Sequence, residues 1–198
     1  PQVQTIFRLE ERTFLGTASG LYSIQQNKKP VKIKLHESID SYSISDIIFD
    51  GLHYWIASNS GLWKLDSLDQ NGTIEHYETP HFTSLALHQG KLFASTFIDG
   101  ILVIDVSNSQ EDQLITGPLR VNHLRIIKNQ LWASTDSSGI SIHDTETLGL
   151  IKKLNRRNGL ATTHIRKAMT DRQGNIWIAS SGGGLYKYFL NEFTHFDK

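Results

Sequence analysis

Apolar positions along this chain fall into five similar clusters. They are Phe14-Leu15-Gly16-Thr17-Ala18-Ser19-Gly20-Leu21-Tyr22, Trp55-Ile56-Ala57-Ser58-Asn59-Ser60-Gly61-Leu62-Trp63, Phe93-Ala94-Ser95-Thr96-Phe97-Ile98-Asp99-Gly100-Ile101, Trp132-Ala133-Ser134-Thr135-Asp136-Ser137-Ser138-Gly139-Ile140 and Ile176-Trp177-Ile178-Ala179-Ser180-Ser181-Gly182-Gly183-Gly184-Leu185. Each opens on a short apolar run rich in β-formers, turns on polar residues and a glycine, and resumes apolar. Such runs are too short for helices and read as pairs of buried strands. Ahead of each lies a pair of apolar residues three apart: Val3 and Ile6, Ile44 and Ile47, Phe82 and Leu85, Val121 and Leu124, Ile165 and Ala168. That spacing is equally compatible with a helix. The turns that follow, at Asp50-Gly51, Gln89-Gly90, Lys128-Asn129 and Gly174-Asn175, make it the first strand of a hairpin. Behind each glycine loop comes an alternating stretch: Val31 to Leu35, Ile74 to Glu78, Gln113 to Thr116, Ile151 to Leu154 and Phe193 to Phe196.

The loop glycines Gly20, Gly61, Gly100, Gly139 and Gly184 are 41, 39, 39 and 45 residues apart. A repeat of about 40 residues made of short strands is the signature of propeller blades, not of helical solenoids. The predicted fold is an all-β propeller of four-stranded antiparallel blades. Five lie on this chain, at about 1–40, 41–80, 81–118, 119–156 and 157–198, and no helix is expected. The aromatic anchors Phe14, Trp55, Phe93, Trp132 and Trp177 occupy one equivalent position. They are expected to pack between adjacent blades, each contributing ~1.5–3 kcal/mol by burial. The sharper alternative, an aromatic box stacking sugars, is less consistent with five equivalent buried-strand positions. The glycines read as backbone requirements, because a phosphate cradle needs a following helix.

Composition narrows the function. With 198 residues the chain can bury a sizeable core, and 20 basic against 20 acidic residues leave no net field to attract nucleic acid or an anionic membrane. There is no Cys, hence no disulfide framework and no thiolate metal site, and no apolar run long enough to cross a membrane. The first residue is Pro1, which reads as a mature or excised segment. Nine His residues invite a metal hypothesis, but no HExxH or His-x-His pair is present. No G-x-S-x-G nucleophile elbow occurs, and Asp136-Ser137-Ser138-Gly139 lacks the alternating oxygen ligands of a calcium loop. No catalytic residue, metal or cofactor is nominated.

The fifth repeat, Asp171-Arg-Gln-Gly-Asn-Ile-Trp-Ile-Ala-Ser-Ser-Gly-Gly-Gly-Leu-Tyr-Lys-Tyr, preceded by Asn158-Gly159-Leu160 and His164-Ile165, resembles the two-component regulator propeller repeat. The second and fourth repeats share the Trp-Ile/Ala-Ala/Ser core and the loop glycine. The first and third depart, with Phe14 and Phe93 in place of Trp and no Asp-x-x-Gly-Asn turn. The resemblance implies an extracytoplasmic sensor module of bacterial histidine kinases, hybrid two-component proteins or some diguanylate cyclases, without catalysis of its own and attached to a membrane only through a parent chain. Members usually carry more than five blades. Either the five close a small ring, or they form part of a longer propeller whose open edges take missing blades or a second copy.

If a site exists, it lies where the repeats disagree. The two polar positions inside each first strand are Gln4-Thr5, Ser45-Asp46, Thr83-Ser84, Asn122-His123 and Arg166-Lys167. First strands line a propeller's central channel, and a lectin with five equal sites would repeat its polar ligands. The expected site is therefore a single asymmetric channel mouth containing Asp46, His123, Arg166 and Lys167, bordered by the loop residues Asp99 and Asp136, for a small molecule or glycan fragment. The competing expectation is an interaction scaffold that binds a protein or a second copy.

Overall fold

The computed structural model describes residues 2–25, 28–37, 39–79, 81–107, 110–189 and 192–196. Its strands form five four-stranded antiparallel sheets, each with spatial order matching chain order, the blades of a β-propeller fold. The first blade is β1 (Val3–Leu9), β2 (Arg12–Thr17), β3 (Gly20–Ile24) and β4 (Val31–Lys32); the second is β5 (Ile44–Phe49), β6 (Tyr54–Ser58), β7 (Gly61–Leu65) and β8 (Ile74–Tyr77). The third is β9 (Phe82–His88), β10 (Lys91–Thr96), β11 (Ile101–Asp105) and β12 (Gln113–Ile115); the fourth is β13 (Val121–Ile127), β14 (Gln130–Thr135), β15 (Ile140–Asp144) and β16 (Leu150–Leu154). The fifth is β17 (Ile165–Thr170), β18 (Ile176–Ser180), β19 (Leu185–Phe189) and β20 (Glu192–Phe196). The chain divides into two compact units, Pro1–Leu85 and Ala86–Lys198. One element departs from the all-strand expectation: a 3-10 turn at Arg156–Asn158, capped by Asn155, whose side chain accepts from the Arg157 N–H.

The helix-like spacing of the first strands has a β-sheet cause. Pairing with the second strand shifts register between Val3 and Thr5, Ile44 and Asp46, Val121 and His123, and Ile165 and Lys167. An extra residue at a bulge turns the strand, so positions three apart come to the same side. Ile44 and Ile47 accordingly share one core, Val121 and Leu124 another, and Ile165 and Ala168 a third. The polar pairs that vary between repeats are the bulge residues.

Each of three anchors packs on the blade that follows it. Phe14 lies with Ile44, Ile47, Ile56 and Trp63; Phe93 with Val121, Leu124, Leu131 and Ala133; Trp132 with Ile165, Ala168, Ile178 and Tyr186. Trp55 is fully buried. The stretch Ile176 to Ala179 was expected to be buried on both faces, but only Ile176 and Ile178 are. Trp177 stays half-exposed, with the Lys187 ammonium 5.7 Å from its ring and Phe196 at 5.8 Å, because no blade follows it in its unit. In the first blade, Ile6 is 68% exposed while its second-blade counterpart Ile47 is 5% exposed.

Two polar devices hold the blades in shape. The hydroxyl ending each second strand donates to the carbonyl of its loop glycine: Thr17 to Gly20 at 2.8 Å, Ser58 to Gly61 at 2.9 Å, Thr96 to Gly100 at 3.1 Å, Thr135 to Gly139 at 2.9 Å and Ser180 to Gly184 at 3.0 Å. The second device ties the anchor to the preceding turn. Asp171 accepts from the Trp177 indole at 2.9 Å, the Asn175 side chain at 2.8 Å and the Gln173 and Asn175 N–H groups at 3.0 and 2.8 Å. Asp50 likewise accepts from the Trp55 indole at 2.7 Å. The fourth blade turns on Lys128-Asn129 and has no such carboxylate, and the Trp132 indole N–H is buried without a partner.

Hydrogen bonds from Trp177 and Asn175 hold the Asp171 carboxyl down to about 2. A carboxyl depressed in the folded state adds stability above its unfolded value of ~3.9, and that increment is lost as pH falls toward the folded value. Asp171→Asn should therefore flatten the acid limb of stability. Urea midpoints at pH 6 and pH 3 should fall further apart in the wild type than in the variant, and equal differences would contradict this. Gly139 adopts φ +83, and a Cβ there would overlap the Leu154 carbonyl oxygen, whereas Gly174 at φ +81 faces open space. Gly174→Ala should cost ~1–2 kcal/mol through its backbone alone, and Gly139→Ala measurably more in the same denaturation assay.

Candidate functional site

The loops bearing the glycines and the segments leading into the first strands are laced together by backbone. The N–H of Ala18 donates to Gln2 O at 3.1 Å, Asn59 to Ser43 O at 3.2 Å, Asp136 to Arg120 O at 2.9 Å and Ser181 to His164 O at 2.8 Å. The next blade's segment also bonds back: His81 N–H to Asn59 O at 3.4 Å and Arg120 N–H to Phe97 O at 2.9 Å. Arg120 takes up φ 53, a left-handed conformation that strains a side-chain-bearing residue. Its backbone is thereby pinned between Phe97 of the third blade's loop and Asp136 of the fourth's.

The side chains gathered by this lacing form the candidate site in the second unit. Around the Asp136 carboxylate stand the Arg120 guanidinium at 3.6 Å, the His164 ring at 3.7 Å and the Arg166 guanidinium at 4.0 Å. Arg166 also donates to the Ser181 hydroxyl at 3.4 Å, and Arg120 lies over the Phe97 ring at 5.2 Å. The two arginines and His164 are exposed and Asp136 is partly exposed. Ion pairs this loose and this wet contribute ~0–1 kcal/mol each to stability. One carboxylate faced by two permanent cations and a histidine leaves positive charge uncompensated. The exposed Phe97 ring adds an apolar platform beside it.

Of the residues expected at a channel mouth, Arg166 and Asp136 are brought together here. Arg120, His164 and Phe97 escaped the sequence reading. They sit just outside the first strands or inside a glycine loop, and comparing the residues that precede each first strand (Gln2, Ser43, His81, Arg120 and His164) would have exposed the divergence. Asp99 lies exposed on the third blade's loop, its N–H donating to the Thr96 hydroxyl at 2.8 Å. His123 and Lys167 are bulge residues of β13 and β17. Burial first, then the charges of Lys167 and Arg125, push the His123 imidazole down to about 3, so it is neutral at pH 7. Its Nδ1 is buried with no hydrogen-bond partner.

Asp46, in the first unit, has a different setting. Its Oδ1 accepts from the Thr5 hydroxyl at 3.1 Å and the Ile47 N–H at 3.0 Å, and its Oδ2 from the Ser84 hydroxyl at 3.0 Å and the Leu85 N–H at 2.9 Å. One carboxylate thus ties the first strands of three consecutive blades. Although these donors stabilise the charged form, desolvation outweighs them and the carboxyl sits above its usual range. Its oxygens are taken up inside the protein, which makes Asp46 a structural tie. Among the described residues no group of three or more His, Asp or Glu side chains is arranged to hold a metal ion, and no helix is long and apolar enough to cross a membrane.

No protein-family model matches the chain, and no curated protein matches its sequence. Solved structures do. The fold is similar to an extracellular domain from B. thetaiotaomicron described as that of a hybrid two-component system, with TM-score 0.77 at 20% identity over 94% of this chain and 27% of that one. A second B. thetaiotaomicron extracellular domain, described as that of a one-component system, gives TM-score 0.74 at 18% identity over 100% of this chain and 31% of that one. The WD40 domain of Neurospora crassa Pan2 gives 0.71 at 13% identity over 98% and 64%. The chain spans about a quarter to a third of the length of the two bacterial domains. These likenesses establish the propeller fold, and the two bacterial neighbours agree with the two-component propeller repeat that the fifth copy resembles.

An amide at position 46 would have to turn its NH2 toward two of the four donors now satisfied by carboxylate oxygens. Asp46→Asn should lower unfolding free energy by ~1–3 kcal/mol, read from urea denaturation. A midpoint equal to wild type would show that the three-blade tie carries no stability.

Proposed function

We propose that this chain is an extracytoplasmic, non-catalytic sensor module of a bacterial two-component signalling protein. It binds a small polar ligand at the loop face of its second unit and biases a membrane-linked output domain carried by the parent protein. The observation that supports this most directly is the convergence of Arg120, His164 and Arg166 on one exposed carboxylate, Asp136, beside Phe97. Structural ion pairs are normally matched. Here cations outnumber the anion and remain accessible to a solute that brings its own hydrogen-bond acceptors, such as a glycan fragment. The ring of Phe97 supplies a flat apolar surface of the kind that stacks on a sugar or other planar ligand.

A second reading, self-association through a blade face, is favoured by a separate observation. Ile6 and Val3 on β1 are exposed where the equivalent residues of later blades are buried. Two copies joined through that face would bury apolar surface now open to water.

Calorimetric titration with neutral and acidic oligosaccharides, alongside light scattering of the same samples, separates the two. A sensor site predicts that Arg120→Ala weakens any saccharide bound by wild type ~10-fold or more, with an unchanged melting temperature. Affinity unaltered by Arg120→Ala and by Asp136→Asn removes the loop-face site. A concentration-dependent rise in mass that Ile6→Asp abolishes, with no saccharide response, establishes the second reading.

A further inference from the structure

A second cluster in the same unit lies apart from the Asp136 carboxylate and is assigned no role above. Its outer part is an open cleft of about 530 Å3 lined by Lys153, Asn155, Arg156, Arg157, Ser138 and Thr163. Three of those six side chains are cations and none is a carboxylate. The cations are exposed. In a chain whose basic and acidic residues balance at 20 each, this concentration of one sign is local. The capped turn Arg156–Asn158 places the two arginines side by side, and Gly159, at φ 106, ends it.

The inner part is a cavity of about 110 Å3 between the end of the third blade and the outer strands of the fourth, lined among others by Thr116, Pro118, Ser141, His143 and Leu150. Cavity and cleft share Ser138 and Lys153, so Lys153 stands at their junction. Lys153 is the register partner of Ser141 on neighbouring strands. Two polar groups in the cavity wall are buried without partners: the Ser141 hydroxyl, on a residue 6% exposed, and His143 Nε2, on a residue 4% exposed. The other ring nitrogen, Nδ1, lies 3.2 Å from the Leu148 carbonyl oxygen. A carbonyl only accepts, so Nδ1 carries the proton and Nε2 presents a bare lone pair. Burial also holds this imidazole below its ordinary range, keeping it neutral. Leaving such groups unpaired costs ~1–3 kcal/mol each, a cost that a hydroxyl-bearing ligand entering the cavity would offset. The space exceeds the ~30 Å3 share of one water and accommodates a hydroxymethyl-sized arm.

We propose that cleft and cavity together bind an anionic saccharide: Lys153, Arg156 and Arg157 hold its carboxylate or sulfate, and a hydroxyl arm enters the cavity to donate to His143 Nε2 and pair with Ser141. The chemistry is complementary on both sides. The outer wall offers only cationic donors and neutral polar groups, and the inner wall an acceptor and a hydroxyl. A neutral sugar would leave the cations unused, and a bare anion would leave the cavity unpaired.

The test is calorimetric titration of the 198-residue protein with trigalacturonate, a sulfated chondroitin disaccharide and maltotriose. Binding of either acidic saccharide but not maltotriose is expected, and which acid binds identifies the anion. Arg156→Ala/Arg157→Ala should weaken it ~10-fold or more, as loss of charge-assisted hydrogen bonds does. Ser141→Ala, which removes an unpartnered hydroxyl and so spares the fold, should weaken it ~2- to 10-fold. Equal binding of maltotriose, no binding of either acid, or unchanged affinity in either variant overturns the proposal. Weakening by Arg120→Ala with none by Arg156→Ala/Arg157→Ala would leave the loop-face site standing and overturn this one.

Discussion

A four-stranded sheet with apolar side chains on both faces cannot be stable alone in water, and that constraint organises the rest of the chain. Phe14, Phe93 and Trp132 each leave their own sheet to pack on the first strand and neighbouring strands of the next. Burial of this kind, not local propensity, decides where each blade lies against its successor. The pattern also shows what happens where the succession stops. Trp177 is left half-exposed, and Ile6 stands in water where Ile47 is buried. Neither residue differs in kind from its counterparts; only the neighbour is missing.

Polar groups are used sparingly and in two distinct ways. Where they recur, they shape the blade: hydroxyls at Thr17, Ser58, Thr96, Thr135 and Ser180 close the glycine loops, and carboxylates at Asp50 and Asp171 fix a tryptophan to its turn. Where they do not recur, they either join blades or face solvent. Asp46 joins three first strands through both oxygens, so a charge that looks available in the sequence is consumed by the fold. Arg120, Asp136, His164 and Arg166 face outward, and their mutual distances of 3.6–4.0 Å are those of accessible charges, not of a locked network.

The bulge in the first strand links these two uses. An inserted residue brings apolar positions three apart onto the core side, which anchors the strand. It also frees the intervening positions from strict alternation. Those are the positions at which Asp46, His123 and Lys167 stand, each with a different environment: enclosed by donors, depressed by burial beside cations, or open to solvent. A conserved geometry thus carries unlike chemistry from blade to blade.

The blade count, strand order and anchor positions were legible in the amino-acid sequence because they depend on short-range periodicity: two-residue alternation, turn residues and a repeat near 40. The helix-like pairs were harder, since a bulge in a strand and a turn of helix give the same spacing, and only the register distinguishes them. The sites were less legible still. Arg166 and Asp136 could be nominated by divergence, but the partners that complete their cluster come from connecting segments whose alignment the repeats do not set. Ser141, His143 and Lys153 meet through pairing of β15 with β16 and the approach of the third blade's end. The sequence by itself determined that this chain builds propeller blades, because periodic burial is written locally. Only the tertiary structure decided which charges are consumed and which remain open, because desolvation and partner distance are properties of the packed chain.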